Sequence, residues 1–328
     1  MLKKKMLPVV ITMTLLLALI VGCRAAVPPS GLTPAEQPGE NVVVGVMIGN
    51  MANQFHTHIM EGMEVKAKEF PHIEFVYVDG QFDPGRQMSQ AENFVAMGVD
   101  AIIFMPGDAA AATPLVDMVV EAGIPLIGVN TEVLPEDMPK LTSYAGSNTV
   151  ESGRILMQAM ADLMGGRGNL FEMQGFLGHT PQIDRNIGIH QILAEYPDIN
   201  LIGHDTGEWS RDVGMTKMEN ALNSPIGDQI EAVVAHNDEM AIGAMKAIEA
   251  AGRKGIKIAG IDATPEALRF VKEGRLSFTV FQDARGQGAK AIEIAAEVVA
   301  GNQVEKYYDI PYLLVLPEDV DEFLAKYE

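Results

Sequence analysis

Few positions in this sequence combine side-chain types and spacing of the kind that chemistry requires. His56-Thr57-His58 offers two imidazoles, but positions i and i+2 of a helix point to different faces, and no third ligand follows at a metal-binding spacing. Gly165-Gly166-Arg167-Gly168 has the glycine content of a phosphate cradle, yet it lacks a Walker lysine and precedes an apolar strand instead of following one. It reads as a helix stop. No serine sits in a nucleophile elbow, and no histidine has a carboxylate partner at motif spacing. Cys23 is the single cysteine, so the chain beyond it has neither an internal disulfide nor a thiolate nucleophile. Enzymatic chemistry, a metal and a cofactor are therefore not expected. Met60, Met63, Met157, Met160 and Met164 recur at helical spacing and read as core filler.

Cys23 has a chemistry of its own. Lys3, Lys4 and Lys5 precede an apolar run from Met6 to Val21 without one charged side chain, and the run stops at Gly22-Cys23. Ile20-Val21-Gly22-Cys23 resembles the bacterial lipobox, in which small residues admit a signal peptidase and the cysteine thiol receives a diacylglycerol. The rival readings are an ordinary cleaved signal and a transmembrane anchor; against the anchor, the run is shorter than the ~20 apolar residues a span needs. All three export the chain. Residues 1–22 are thus expected to be a lipoprotein signal peptide, and 23–40, with Pro28, Pro29, Pro34, Pro38, Gly31 and Gly39, a tether.

Beyond Asn41, short apolar runs alternate with longer amphipathic segments, the pattern of a parallel sheet covered by helices on both faces. Strands are expected at Asn41–Ile48, Ile73–Val78, Ala101–Met105 and Pro125–Val129, with helices at Phe55–Phe70, Pro84–Met97 and Thr113–Ala122. A second series follows Tyr144-Ala145-Gly146. Its helices are expected at Val150–Met164, Gly188–Glu195, Arg211–Leu222, Glu239–Ala251, Pro265–Lys272 and Gly286–Ala300. Its strands are expected at Asn169–Met173, Ile199–Ile202, Ala232–Ala235, Ile256–Ile261 and Ser277–Phe281. The length suffices for two domains with separate cores. Twenty-four basic against 44 acidic residues leave a formal charge of −20, which repels nucleic acid and anionic lipid and argues against a DNA-binding role.

Asn53-Gln54-Phe55, Arg185-Asn186-Ile187-Gly188, Asn237 to Ala244, Gly260-Ile261-Asp262 and Phe281-Gln282 occur in the order found in one family. From Asn41 to Leu316 the chain resembles a ribose-binding-type periplasmic substrate-binding protein of an ABC transporter. Sugar-sensing repressors share that fold but carry a helix-turn-helix where this chain carries a signal. The resemblance implies two doubly wound α/β lobes joined by three hinge strands, with ligand at the carboxyl ends of the strands. The first lobe is expected over 41–146 plus 283–308 and the second over 147–282 plus 309–328. Hinges are expected near Tyr144, Gln282 and Asp309.

A sugar presents hydroxyls that donate and accept, together with apolar C–H faces, so its site needs carboxylates, amides, a guanidinium and flat aromatic walls. Carried over from the family, Asp262 is the carboxylate that accepts from adjacent hydroxyls, and Arg185 is the guanidinium that donates to ligand oxygens, the two keeping each other ionised. Asn53, Asn237 and Gln282 match the family amides, although an Asn before a helix also serves as a cap. Trp209, the single tryptophan, and Phe55 match aromatics able to sandwich a ring. Three positions depart from ribose binders: His56 replaces a second phenylalanine, and Asn130-Thr131 stand where an Asp-Arg pair is expected. Ribose itself is therefore not secured; the expected ligand is a small sugar or polyol, with a furanose-type autoinducer as the alternative. The implied partners are a membrane permease and its ATPase, with the membrane reached through lipid on Cys23, and the protein is expected to be a monomer. The alternative is a receptor component that presents its ligand to a chemosensor or histidine kinase.

Overall fold

The computed structural model describes residues 42–327; the signal, lipidation and tether expected over 1–40 lie outside the described residues. The chain runs β1 (Val42–Ile48), α1 (Gln54–Ala67), β2 (Ile73–Asp79), α2 (Pro84–Met97), β3 (Ala101–Phe104), α3 (Ala109–Glu121), β4 (Leu126–Val129) and β5 (Ser143–Gly146). It continues with α4 (Thr149–Met164), β6 (Arg167–Gln174), α5 (Thr180–Leu193), β7 (Asp198–Thr206), α6 (Arg211–Leu222), β8 (Ala232–Ala235), α7 (Asp238–Ala250), β9 (Lys257–Asp262), α8 (Pro265–Lys272) and β10 (Phe278–Phe281). Last come α9 (Ala284–Val299), β11 (Tyr307–Asp309), β12 (Leu313–Val315) and α10 (Val320–Leu324).

Two six-stranded sheets result, in the orders β11-β5-β4-β3-β1-β2 and β12-β10-β9-β8-β6-β7. All pairings are parallel except β10 with β12. That exception follows from direction. β11 runs toward the cleft in the first sheet, and after three residues β12 leaves the cleft within the second, opposed to its neighbour. Strand order reverses between β2-β1 and β3 in one sheet and between β7-β6 and β8 in the other, the geometry that opens a crevice at the strand carboxyl ends.

The inner strands are buried on both faces, which is why β3, β4 and β8 are apolar without interruption, while the edge strands β2 and β7 carry charged residues. In the first sheet, Val44, Val46 and Ile48 enter a core completed by Ile59 and Ile292, while Met47, Ile102 and Phe104 enter the opposite core with Leu115 and Val119. The second repeats the plan, with Leu170 and Ile261 against Leu156 and Ile189 on one face and Met173 and Val233 against Met240 and Ile248 on the other. Buried methionines recur in all four cores, where a flexible thioether fills irregular space.

Helices pack on one another through glycine. In α1 against α9, a Cβ on Gly62 would collide with the Arg285 carbonyl, and one on Gly288 with that of Ile59. In α4 against α5, Gly153 meets the Arg185 carbonyl and Gly188 that of Val150. The two pairs occupy equivalent places in the two lobes, so a common packing device persists where no sequence repeat is legible.

Two helices begin more than two residues earlier than their hydrophobic period predicts. α3 starts at Ala109, capped by Asp108, whose Oδ1 accepts from the Ala111 amide at 2.8 Å; four consecutive alanines carry no period to read. α5 starts at Thr180 and not at Gly188, with Pro181 in its first turn, where a missing N–H is harmless. The earlier start makes Arg185 a mid-helix residue aimed inward.

Candidate functional site

Between the two sheets lies a cavity of about 60 Å³, room for on the order of five waters at ~10–15 Å³ each. All ten residues expected from sequence line it: Asn53, Phe55, His56, Asn130, Thr131, Arg185, Trp209, Asn237, Asp262 and Gln282. Phe82, Pro106, Thr149, His179, Pro181 and Tyr312 also line it and were missed. Phe82 carried a usable signal, being a large aromatic in a polar turn between β2 and α2; Tyr312 carried no local signal, because it depends on where the last crossing lands.

The first-sheet half is neutral and tethered. Asn53 caps α1, its Oδ1 accepting from the amides of Phe55 and His56 at 3.0 and 3.2 Å. Its side-chain amine remains uncommitted among the described residues. Nδ1 of His56 lies 3.1 Å from the Asn50 amide nitrogen and 3.0 Å from its carbonyl oxygen. Burial pushes the His56 pKa down to about 4, so the ring is uncharged at neutral pH. Nδ2 of Asn130 donates to Oε1 of Gln287 at 2.8 Å, and Oγ1 of Thr131 donates to Oδ1 of Asn130 at 3.3 Å. Where ribose binders are expected to carry an ion pair, this chain places a hydrogen-bonded amide and hydroxyl.

The second-sheet half holds the charge. Arg185, 4% exposed, donates to the His236 carbonyl, to Oε1 of Gln282 at 3.0 Å and to the Tyr312 hydroxyl at 3.5 Å. Its Nε is buried with no partner, and its guanidinium carbon stands 5.6 Å over the Trp209 ring. Asn237 caps α7, Oδ1 accepting from the Met240 amide at 3.0 Å, while Nδ2 reaches the Trp209 carbonyl at 3.4 Å. Both its roles, cap and cavity wall, are therefore realised.

Asp262 is 3% exposed, and among the described residues no hydrogen bond reaches its carboxylate; Oδ1 lies 4.0 Å from Nη2 of Arg185. It does not cap α8, a role held by Thr264. The expectation that Arg185 simply keeps it ionised requires correction. Burial raises the Asp262 pKa well above the usual carboxylate range, Arg185 opposes this, and the charges of Asp238 and Glu239 add to the rise. Asp238 behind it, held by Oγ1 of Thr279 at 2.7 Å and the Thr264 amide at 2.8 Å, is itself raised by burial to about 7. A carboxylate in this condition gains from every hydroxyl that donates to it.

Backbone strain gathers here. Among the described residues, the non-glycine positions with φ in the left-handed range are Gln81, Phe82, Asn130, Glu208, Trp209, Asp262 and Ala263, each a cavity wall or its chain neighbour. Asp262, at φ 128°, occupies a region that residues with a Cβ rarely adopt. Such strain persists where the surrounding structure over-determines it, and among the described residues it gathers around this one cavity.

The family profile of the periplasmic binding protein domain matches residues 44–303. A putative rhizopine-binding protein of Rhizobium meliloti is 37% identical over 312 residues, covering 94% of this chain and 98% of its own. A xylitol-binding protein of Mycolicibacterium smegmatis is 38% identical over 262 residues, covering 80% of this chain and 73% of its own. Among solved structures, an ABC transporter solute-binding protein from Bacillus halodurans with bound myo-inositol superposes with a TM-score of 0.84 at 44% identity, covering 88% of this chain and 98% of that one.

Proposed function

Because the chain belongs to the periplasmic binding protein domain family, we propose that it is an extracytoplasmic solute-binding lipoprotein that captures one small sugar or polyol and delivers it to an ABC importer. The observation that carries this is Asp262: a buried carboxyl group with no protein hydrogen-bond donor among the described residues, on strained backbone, beside an arginine in the cavity between the sheets. Vicinal hydroxyls supply the missing donors, and the oxygens of the same ligand accept from the amides around it. The neutral first-sheet half favours an uncharged polyhydroxyl ligand over an acid, and the xylitol and myo-inositol named for the relatives have that character. Phe55 and Trp209 cover the C–H faces. The relatives it matches are named as binding proteins, which supports binding without turnover.

Thermal shift with myo-inositol, xylitol and ribose tests this reading. A ligand at a hundred times its dissociation constant stabilises by about 2.7 kcal/mol, equivalent to a rise of roughly 4–5 °C in a protein of this size. If no sugar or polyol raises the midpoint, the reading fails. Closure about hinges near Tyr144, Gln282 and Asp309 should accompany binding, seen as compaction in small-angle scattering; superimposable profiles with and without saturating ligand would refute a hinged cleft. Lipid anchoring at Cys23 predicts that Cys23→Ser abolishes labelling by a fatty-acid probe, and persistent labelling would count against it.

A further inference from the structure

His179 is at the N-cap position of α5, yet its side chain makes no cap hydrogen bond. The ring is turned instead toward the cleft. Nε1–H of Trp209 donates to its Nδ1 at 3.2 Å, and Phe176 stacks on it at 4.8 Å and 22°. From the other sheet, Phe82 approaches at 5.5 Å, and the edge of Phe82 in turn meets His56 at 5.6 Å. One imidazole thus touches the tryptophan wall within its own lobe and the aromatic rim of the opposite lobe. Trp209 has reason to need such a partner, since Glu208 and Trp209 both have left-handed backbone, at φ 54° and 60°. A Cβ on Gly175 would collide with the indole, so the ring also lies flat against bare backbone.

Resting on the reading of the cleft as a polyol site, we propose that His179 is the positioning residue of that site: its neutral ring holds the Trp209 indole in register through Nδ1 and receives Phe82 when the lobes close.

The acceptor role demands the tautomer with its proton on Nε2. A second proton on Nδ1 would set two N–H donors head to head, and the indole would lose its register. Burial lowers the His179 pKa, while Asp108, capping α3 across the cleft, favours the charged form. The other ionisable groups turned toward this assembly are His56 from α1, Arg185 from α5 and His236 from the loop after β8, the last 6.4 Å from the far side of Trp209. Because the closed form disfavours the proton, affinity is complete above the ordinary histidine pKa of about 6.5 and falls as pH drops below it.

Two measurements decide the proposal. In the ligand-free full chain, emission from Trp209, the single tryptophan, should change with pH in a one-proton step in the parent. That step should vanish in His179→Gln, whose Oε1 accepts the indole N–H without titrating, while any step owed to His236 survives in both. An identical emission titration in parent and His179→Gln overturns the proposal, whatever the ligand. With myo-inositol as the probe, His179→Phe, which keeps a ring for Phe82 but has no acceptor, should bind about tenfold more weakly, the cost of roughly one unsatisfied N–H. His179→Gln should recover most of that loss and show a pH dependence of Kd shallower by one proton. Equal affinity in parent and His179→Phe overturns the positioning role. Failure of myo-inositol to bind the parent bears on the polyol reading and leaves the emission test in force.

Discussion

Asp262→Ala is expected to weaken binding of the identified ligand by about 2–5 kcal/mol, a loss of roughly 30-fold to several-thousand-fold. The hydroxyls that donate to Asp262 in the complex must leave water to do so, and in the variant they meet no acceptor. Arg185 does not compensate, because its amino groups are already directed to the His236 carbonyl, Gln282 and Tyr312. Asp262→Asn keeps the volume and one acceptor, and its affinity should lie between parent and Asp262→Ala. The folded state should not suffer. Removing a buried carboxylate that has no protein donor relieves a desolvation cost, so the ligand-free melting midpoint should equal or exceed that of the parent. Isothermal calorimetry with a thermal melt of the ligand-free proteins checks both halves. Binding within a factor of two of the parent by folded Asp262→Ala would show that this carboxylate does not hold the ligand.

Gly188→Val should be the most destabilising single substitution on the second lobe's α4–α5 face. The first carbon added at Gly188 meets the Val150 carbonyl oxygen and, at 2.8 Å, the Arg154 amide nitrogen. Both are backbone atoms of a packed helix and cannot swing aside. Overpacking costs about 1–3 kcal/mol when side chains can adjust, so a collision with fixed backbone should cost about 3 kcal/mol or more. Functional damage should accompany the loss, because Gly188 and Arg185 lie on one helix and the Arg185 carbonyl is itself packed on Gly153. A shift of α5 away from α4 withdraws the guanidinium from Gln282 and Tyr312. Urea unfolding with an unchanged slope would measure the stability term, and calorimetry on the folded fraction the affinity term. A midpoint corresponding to less than 1 kcal/mol of destabilisation would mean that the helices separate readily. The interlocked glycines would then not be what sets the position of Arg185.

Much about this protein is determined locally. Apolar runs such as Val42–Ile48 and Ala232–Ala235 are uninterrupted because both faces of each sheet are covered, and that condition is written in composition alone. Helix ends were legible where a local signal exists, as at Gly98 and Gly165, which close α2 and α4 in the left-handed conformation. The ten cavity residues came from motif order, which identifies residue types and their loops but says nothing of what each side chain touches.

Tertiary structure alone decided the rest. Asn53 and Asn237 have the sequence signature of helix caps, and only the meeting of two sheets makes them cavity walls as well. Arg185 was legible as a ligand-binding guanidinium only through the family resemblance; its place in the interior follows from α5 starting at Thr180, with Pro181 in its first turn. The charge of Asp262 depends on Asp238 and Glu239 behind it and on Arg185 beside it, a balance of burial and Coulomb terms that spacing along the chain does not encode. His179 is the clearest case. Phe176 lies three residues earlier in its own loop, but Phe82 and Trp209 come from two other loops, and contacts between loops are fixed by the packing of the elements that carry them.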